Sequence, residues 1–315
     1  IGLDLGGTKL AAALVNSQGE IVEATKVPVT MAADGSALRT QKRVLSLMGD
    51  LTADFKRRYP SECGPRHFVG VGLASAGPLN AESGTLIHPV NFPGWKVVKI
   101  RDLLSQELKM RNFKTAVHFQ NDAIAAALAE GWIGGAKGMK SYAVITVGTG
   151  IGTGVIFQGR PCQTHGMGSE FGHLIFSGPE LKGDLAARRL HTIEGIASGT
   201  GLQNRARALG FEGHSVEDIV HALKHGNTKL APLFDDMALA LATLAYNLSI
   251  GFNLEGLFLS GGLLKIKSLY LKQTNEMYRK LIRDFNPAFE CKLKTAKTDT
   301  RAGVIGASHL PYCGA

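Results

Sequence analysis

The sequence predicts an α/β protein built from two similar halves, and three observations support this prediction. Predicted strands alternate with predicted helices along the chain. A hairpin of two apolar strands joined by a glycine-rich turn occurs twice, at residues 1–15 and 142–157. The chain has 315 residues, which exceeds the usual size of one domain. We therefore expect two domains, each with its own hydrophobic core.

Hydrophobic periodicity predicts the elements that follow each hairpin. After the first hairpin, apolar residues recur at spacings of three and four over about 36–58, which predicts a helix. Short apolar runs at 68–74 and 116–119 predict strands. After the second hairpin we expect a long helical region at about 195–249 and a buried strand at 257–260. The second half thus repeats the plan of the first.

The turn of the first hairpin has the composition of a phosphate-binding loop. Gly6 and Gly7 can adopt positive φ and, because they lack a Cβ, allow backbone N–H groups to approach an anion. Thr8 adds a hydroxyl donor and Lys9 a positive charge, and Asp4 could hold Mg²⁺ through a water molecule. An ordinary β-hairpin is the alternative, which a Gly-Gly pair alone would justify. We prefer phosphate binding because the pattern is repeated.

The turn of the second hairpin carries Gly148, Thr149, Gly150 and Gly152. As in the first copy, a polar turn follows the second strand. Two such hairpins could hold one polyphosphate from opposite sides of a cleft. Neither turn has the residue spacing of a Walker P-loop.

Several short motifs are spread over nearly the whole chain. In combination they resemble the ROK family of sugar kinases and regulators. The motifs are Asp-Leu-Gly-Gly-Thr-Lys at 4–9, Asn-Asp at 121–122, Gly-Thr-Gly-Ile-Gly-Thr-Gly at 148–154, Glu-Phe-Gly-His at 170–173, Glu-Gly-Ile-Ala-Ser-Gly at 194–199, Ser-Gly-Gly at 260–262 and Ala-Gly-Val-Ile-Gly-Ala at 302–307.

The resemblance implies a duplicated actin-like, ribonuclease-H-like fold with two domains flanking a catalytic cleft. A small α/β domain would comprise residues 1–121 plus 299–315, and a large α/β domain, residues 122–298, would hold the nucleotide. Kinases of this family close the cleft on sugar binding. Closure expels water that would otherwise compete for the γ-phosphoryl group.

Asp122 is the candidate catalytic residue. Phosphorylating an alcohol requires a group that takes the hydroxyl proton and holds the oxygen in line with the γ-phosphorus, and a carboxylate can do both. The alternative is structural, since an aspartate in front of an alanine-rich segment is also a good helix N-cap. The sequence alone leaves both open, and the resemblance favours catalysis.

Sugar recognition calls for fixed carboxylates, amides and imidazoles around one ring. The resemblance assigns this role to Glu170 and His173, which would bind ring hydroxyls, with Glu194 as a further acceptor and Asn121 beside the base. Each has a structural alternative. His173 could be a hydrogen-bonded core histidine, and Glu194 an exposed acid at the start of a helix.

The segment Asn-Phe-Pro-Gly-Trp at 91–95 resembles an element common in ROK glucokinases and follows the turn that contains Gly77. Asn91 and Gly77 are therefore further candidates for substrate binding, and glucose is the favoured hexose. N-Acetylglucosamine, N-acetylmannosamine and fructose are the alternative acceptors, because sugar specificity depends on a few hydroxyl contacts. The structural alternative is that Pro-Gly makes a turn and Trp95 packs.

Many ROK proteins hold a structural zinc with a histidine and three cysteines. Between His173 and Glu194 this chain has no cysteine, so that tetrahedral set cannot form. We predict no zinc here, and the orientation of His173 must then come from packing or a hydrogen bond.

The expected cofactors are ATP and Mg²⁺. By resemblance, Gly261 and Gly262 border the adenosine, although close helix packing would also explain a glycine pair there. Inorganic polyphosphate is the alternative donor, since the formal net charge of +9 would suit it.

Composition argues against several other classes of protein. The positive charge is not concentrated in a basic block with interleaved aromatic residues, so we expect a small-molecule sugar and a nucleotide as partners and no nucleic acid. The apolar stretch at 238–252 is shorter than a membrane span, and four scattered cysteines fit reduced thiols in the cytoplasm. From the resemblance to the family we expect a homodimer.

A non-catalytic sugar-binding regulator is the alternative of another class. ROK regulators carry an N-terminal helix-turn-helix module, whereas this sequence begins at the first hairpin. The combination of Asp122 with two glycine hairpins favours the kinase.

Overall fold

The computed structural model describes residues 1–29, 40–176 and 191–313, and the chain divides into two compact units. The first unit comprises Ile1–Gly138, Cys162–Gly168 and Arg301–Ala315, and the second comprises Met139–Pro161 and Ser169–Thr300. The domain boundaries taken from the resemblance, at 121/122 and 298/299, stay a prediction.

The strands and helices alternate along the chain. The strands are β1 (Gly2–Leu5), β2 (Lys9–Val15), β3 (Ile21–Pro28), β4 (Val71–Ser75), β5 (Leu79–Asn80), β6 (Thr85–Ile87), β7 (Val97–Val98), β8 (Val117–Asn121), β9 (Tyr142–Val147), β10 (Ile151–Phe157), β11 (Arg160–Pro161), β12 (Gly256–Ser260) and β13 (Lys292–Thr295). The α-helices are α1 (Gln41–Arg58), α2 (Ile100–Met110), α3 (Asp122–Trp132), α4 (Ile193–Ala197), α5 (Gly199–Ala208), α6 (Val216–Lys224), α7 (Ala231–Phe252), α8 (Leu271–Phe285) and α9 (Ala302–Cys313).

The sheet of the first unit has the strand order β3-β2-β1-β4-β8. β2 is antiparallel to its neighbours on both sides, whereas β4 is parallel to β1 and β8. Every residue of the interior strand β4 is buried, which fits its continuous run of small and apolar residues. The edge strand β3 alternates half-buried and exposed residues, as expected of a strand with one face in solvent.

The main sheet of the second unit repeats this plan. Its strand order is β11-β10-β9-β12-β13, with β10 antiparallel to β9 and β11, and β12 parallel to β9 and β13. β12 is buried throughout, like β4. The predicted duplication is therefore confirmed.

Helices cover the sheets with their apolar faces. In α1 the buried residues include Val44, Leu45 and Met48, at the spacings of three and four that the sequence pattern predicts. The predicted start of this helix near residue 36 lies outside the described residues. In the first unit α9 packs on α3, where the Trp132 and His309 rings stack with centroids 4.4 Å apart.

The long helix α7 forms the core of the second unit. The stretch Thr228–Phe252 is long and apolar enough to cross a membrane, since it contains an 18-residue segment with a mean hydropathy of 1.2, but 61% of that segment is buried inside the protein. The apolar stretch that the sequence analysis placed at 238–252 is shorter than the observed one. The helix already begins at Ala231, with Pro232 in its first turn. Its apolar length serves packing against other helices of the unit.

Candidate functional site

The candidate residues of the first unit follow strands that end at the same edge of the sheet. Leu5, Ser75 and Asn121 lie opposite one another in register on the parallel strands β1, β4 and β8. The turn at Gly6, the turn that contains Gly77 and the start of α3 therefore leave the sheet side by side. This edge is the usual ligand-binding edge of a parallel sheet.

The first glycine turn is compact and partly exposed. The Gly6 N–H donates to the Lys9 carbonyl at 3.0 Å, and the Thr8 carbonyl accepts from the Val29 N–H at 2.9 Å. The side chains of Thr8 and Lys9 are exposed. The expectation that positive φ explains the two glycines was wrong, because neither Gly6 nor Gly7 is in that region.

The lack of space for a side chain, and not a positive φ, explains why residue 7 is a glycine. A Cβ on Gly7 would lie 2.9 Å from the Cβ of Asn91. The predicted substrate residue Asn91 is thus in contact with the predicted phosphate turn. In the same loop Phe92 is buried and its ring lies 4.6 Å from that of Trp95, so the loop also has the packing role that the sequence left open.

Asn121, and not Asp122, is the N-cap of α3. The Asn121 Oδ1 accepts hydrogen bonds from the N–H groups of Ala123 at 2.9 Å and Ile124 at 3.2 Å. Asp122 is the first residue of the helix, and its Oδ1 accepts from the Ala123 N–H at 2.8 Å. The structural alternative for Asp122 is therefore wrong, since the preceding amide does the capping.

Two carboxyl groups of the first unit have raised pKa values. Burial, and secondly the negative charge of Asp122, raise the pKa of Asp4 to about 7. Burial also raises the pKa of Asp122, against the opposing effect of hydrogen bonds from backbone N–H groups. Two acidic groups whose negative charges repel each other fit a site for a divalent cation with oxygen ligands, because the cation would relieve that repulsion.

The candidate residues of the second unit also follow neighbouring parallel strands. Thr146 of β9 lies opposite Ser260 of β12, so the second glycine turn and the pair Gly261-Gly262 begin at one edge of the sheet. Gly261 has a φ of 100°, and a Cβ there would lie 2.5 Å from the Val147 carbonyl oxygen. Only glycine fits this position, where a helical 3-10 stretch, Gly262–Leu269, begins.

The second glycine turn is held by the first residues of α5. The Gly148 carbonyl accepts from the Gly199 N–H at 2.8 Å, and the Thr149 carbonyl accepts from the Thr200 N–H at 3.1 Å. Ser198 caps α5 by accepting from the Gly201 N–H. The turn carbonyls are thereby directed at a helix N-terminus, and the Thr149 side chain remains exposed.

Glu194 also contacts this turn. Its Oε2 accepts a hydrogen bond from the Ile151 N–H at 2.8 Å, and a Cβ on Gly150 would lie 2.5 Å from the same oxygen. Thr192 caps α4, which carries Glu194 in its first turn. Glu194 therefore lies at the start of a helix, as the structural alternative predicts. Its carboxylate, however, accepts a hydrogen bond from the backbone of the second hairpin.

His173 ends a short 3-10 turn, Phe171–His173, that is bound to β10, and Glu170 directly precedes this turn. The Thr153 hydroxyl donates to the Ser169 carbonyl and accepts from the Phe171 N–H. The Oε2 of Glu170 lies 3.9 Å from the Nε2 of His173, and the two side chains are 54% and 58% exposed. His173 is therefore not a core histidine, and both groups are available to a ligand.

The structure assembles the sequence candidates into two sets. The first unit carries Asp4, Gly6, Gly7, Thr8, Lys9, Gly77, Asn91, Asn121 and Asp122, and the second carries Gly148, Thr149, Gly150, Gly152, Glu170, His173, Glu194, Gly261 and Gly262. Their roles remain predictions.

Sequence reasoning missed the polar side chains that support these sets. Thr153 holds the 3-10 turn, and Gln120 accepts a hydrogen bond from the Asn121 N–H at 2.8 Å. The available signal was a polar residue within a strand, as Gln120 is in β8. A residue of this kind needs a partner when it is buried.

The described ranges contain no cluster of three or more metal-ligating side chains. Among residues 1–29, 40–176 and 191–313, no three or more His, Cys, Asp or Glu side chains lie together as a metal site. Most of the loop between His173 and Glu194 lies outside these ranges, so the absence of zinc stays a prediction.

Two sheets of identical strand order, each with a glycine turn between its first two strands, define the class of protein. This is the duplicated actin-like, ribonuclease-H-like fold of sugar kinases, as the sequence predicts. A model of the ROK family matches residues 1–312, and the chain therefore belongs to the ROK family.

Three relatives illustrate the similarity. A glucokinase of Halalkalibacterium halodurans is 29% identical over 98% of this chain and 94% of its own length. An N-acetylmannosamine kinase of Haemophilus influenzae is 25% identical over the same shares of the two chains. The crystal structure of a ROK hexokinase from Thermus thermophilus has a TM-score of 0.80 and 27% identity, covering 99% of this chain and 97% of that one.

Proposed function

We propose that this protein is a sugar kinase that transfers the γ-phosphoryl group of ATP to the 6-hydroxyl of a hexose, most simply glucose. The observation that supports the proposal best is the division of roles at the start of α3. Asn121 caps the helix, and the carboxyl group of Asp122 is thereby left for proton transfer. Its raised pKa suits a general base, which works best when its pKa is closer to the pH of the reaction.

In the proposed reaction Asp122 accepts the proton of the sugar hydroxyl. The oxygen then forms a bond to the γ-phosphorus, and the bond between that phosphorus and the β,γ-bridging oxygen breaks, so that ADP leaves. The protein contributes mainly by positioning the reactants and by stabilising charge. Backbone N–H groups of the two glycine turns would bind phosphate oxygens, and Lys9 would add a positive charge.

A bound Mg²⁺ would neutralise charge on the phosphate oxygens. Asp4 is the residue that would hold it through water, because Asp4 lies one residue before the end of β1 and close to the first glycine turn. Gly261 and Gly262 would border the adenosine, which supports ATP as the donor over inorganic polyphosphate.

The side chains that we propose to bind the sugar are those of Glu170, His173, Glu194, Asn121 and Asn91. Exposed carboxylate and imidazole groups at the 3-10 turn can accept and donate hydrogen bonds to neighbouring hydroxyls. Because the relatives include a glucokinase and an N-acetylmannosamine kinase, glucose and an N-acetylhexosamine are the two acceptors to compare first. We further propose a cytoplasmic homodimer, as the family resemblance suggests.

The proposal is tested by measuring ADP release with ATP and Mg²⁺ over a panel of acceptors: glucose, fructose, mannose, N-acetylglucosamine and N-acetylmannosamine. Polyphosphate replaces ATP in a parallel series, in which sugar phosphate is measured. We expect the highest kcat/KM with glucose and ATP, and Asp122→Asn as a control should lose activity with every acceptor. Sugar binding without turnover for the whole panel would instead identify a non-catalytic sugar-binding regulator.

A further inference from the structure

A pair of hydrogen-bonded glutamine amides, Gln120 buried and Gln163 half-buried, lies next to the proposed base. The Gln120 Nε2 donates to the Gln163 Oε1 at 3.0 Å, and the Gln163 Nε2 donates back to the Gln120 Oε1 at 3.1 Å. Gln120 is 3% exposed at the end of β8. Such a reciprocal pair satisfies one N–H donor and one acceptor site of each amide.

The same Gln120 oxygen holds the backbone that precedes Asp122. The Gln120 Oε1 accepts from the Asn121 N–H at 2.8 Å, and Asn121 in turn caps α3. This N–H fixes the orientation of the Gln120 amide, because a flipped amide would point its NH₂ group at another donor. Hydrogen bonds therefore lead from Gln163 through Gln120 to the backbone of Asn121, the N-cap residue that directly precedes Asp122.

Gln163 is itself firmly anchored. It belongs to the segment Cys162–Gly168, which is part of the first unit. The carbonyls of His165 and Gly166 accept from the Asn80 side chain at 2.6 Å and from the Ala81 N–H at 2.8 Å. The segment is closed on itself by two backbone hydrogen bonds between Thr164 and Met167. A partner held in this way can determine the position of Gln120.

We infer that Gln163 is a positioning residue for phosphoryl transfer, which acts by fixing the Gln120 amide and through it the Asp122 carboxylate. This inference rests on the proposed function. Removing the Gln163 amide frees Gln120 to rotate, so that the Asn121 N–H loses its acceptor and the first turn of α3 shifts. A displacement of the base on the order of 1 Å costs up to about a hundredfold in rate.

The decisive variants are Gln163→Met and Gln163→Glu. Methionine keeps the volume and removes both hydrogen bonds, whereas glutamate keeps an oxygen acceptor for the Gln120 Nε2. Gln106→Met, at an exposed position of α2, is the matched control. Each protein is assayed for kcat and for the KM of sugar and ATP. Hydrogen exchange of the Asn121 and Ala123 amides is measured without substrate.

We expect Gln163→Met to lower kcat by about tenfold to a hundredfold, with both KM values within about twofold of wild type. Exchange at Asn121 and Ala123 should become faster. Gln163→Glu keeps one of the two hydrogen bonds and should lie between the wild type and Gln163→Met, and the control should behave like the wild type. Wild-type kcat and unchanged exchange in Gln163→Met would overturn the inference, as would a loss in Gln163→Glu equal to that in Gln163→Met. Absence of kinase activity in the wild type would refute the proposed function instead, and the exchange rates would still decide whether Gln163 positions the helix start.

Discussion

The Glu194 carboxylate accepts a hydrogen bond from the Ile151 N–H at 2.8 Å, and this bond joins helix α4 to the second glycine turn. The two residues are 43 positions apart in the sequence. A residue that resemblance assigns to sugar binding is therefore also a support for the loop proposed to bind phosphate. One carboxylate can serve both purposes because it has two oxygens and about four acceptor sites.

The two roles of Glu194 are separable by substitution. Glu194→Gln retains an oxygen acceptor for the Ile151 N–H, so we expect near-wild-type nucleotide affinity and a raised KM for the sugar. Glu194→Ala leaves that N–H without its acceptor and should lower the free energy of unfolding by about 1–3 kcal/mol and weaken nucleotide binding. Calorimetry with a non-hydrolysable ATP analogue measures the difference. Equal nucleotide affinities in the two variants would show that the hydrogen bond does not support the turn.

Asn121 and Asp122 should differ in their effects on stability. Asn121→Ala removes the N-cap of α3, and we expect the free energy of unfolding to fall by about 1 kcal/mol. Asp122→Asn should unfold at the same or higher urea concentration than the wild type, since it removes a buried acid whose ionised form is disfavoured by burial. Urea titrations followed by circular dichroism provide both values. A cap role for Asp122 would instead make its replacement by alanine as destabilising as Asn121→Ala.

Asp4 should make the stability of the protein depend on pH. Its pKa is about 7 in the folded protein and 3.8 when unperturbed, so between these values the folded state binds the proton that the unfolded state has released. The free energy of unfolding therefore falls as the pH rises through this window.

The matched comparison is wild type against Asp4→Asn, with EDTA present to remove divalent cations. From pH 5 to pH 8 the wild type should lose about 2–3 kcal/mol relative to the variant. Parallel stability curves for the two proteins would show that the Asp4 carboxyl is not perturbed in this way.

The glycine pair at the end of β12 offers a matched test of backbone geometry. Gly261→Ala places a side chain at positive φ and against the Val147 carbonyl, so we expect a loss of more than about 1 kcal/mol. At Gly262 no atom lies within 4 Å of a built Cβ. Gly262→Ala should therefore change thermal stability by no more than about 1 kcal/mol in either direction. A similar melting temperature for both variants would contradict this reading of the strand-to-helix junction.

Local sequence patterns were sufficient to predict most of the fold. The hairpins, the helix that ends at Arg58 and the buried strands β4 and β12 each have a periodicity or composition that belongs to one segment. The predicted helical region at 195–249 is divided into α4, α5, α6 and α7, because Ser198 and Ser215 cap new helices within it. The strand predicted at 116–119 extends to Asn121, since polar residues at its end pair with β4.

The candidate site was less predictable, because its supports join distant segments. Gln120 and Gln163 are 43 residues apart, and no local sequence pattern at either position identifies the other as its hydrogen-bond partner. The cap of α3 is a choice between adjacent residues, and only the backbone φ and ψ of Asn121 and Asp122 decide it. Motif resemblance identified the acidic residues, whereas their hydrogen-bond partners depend on tertiary structure.

A single-turnover experiment tests the central claim most directly. Enzyme in excess over [γ-³²P]ATP is mixed with glucose and Mg²⁺, and the rate of labelled glucose 6-phosphate formation is compared between the wild type and Asp122→Asn. We predict that the variant binds both substrates and transfers the phosphoryl group about 10²–10⁴ times more slowly. Transfer at the wild-type rate by the folded variant would contradict the assignment of Asp122 as the base.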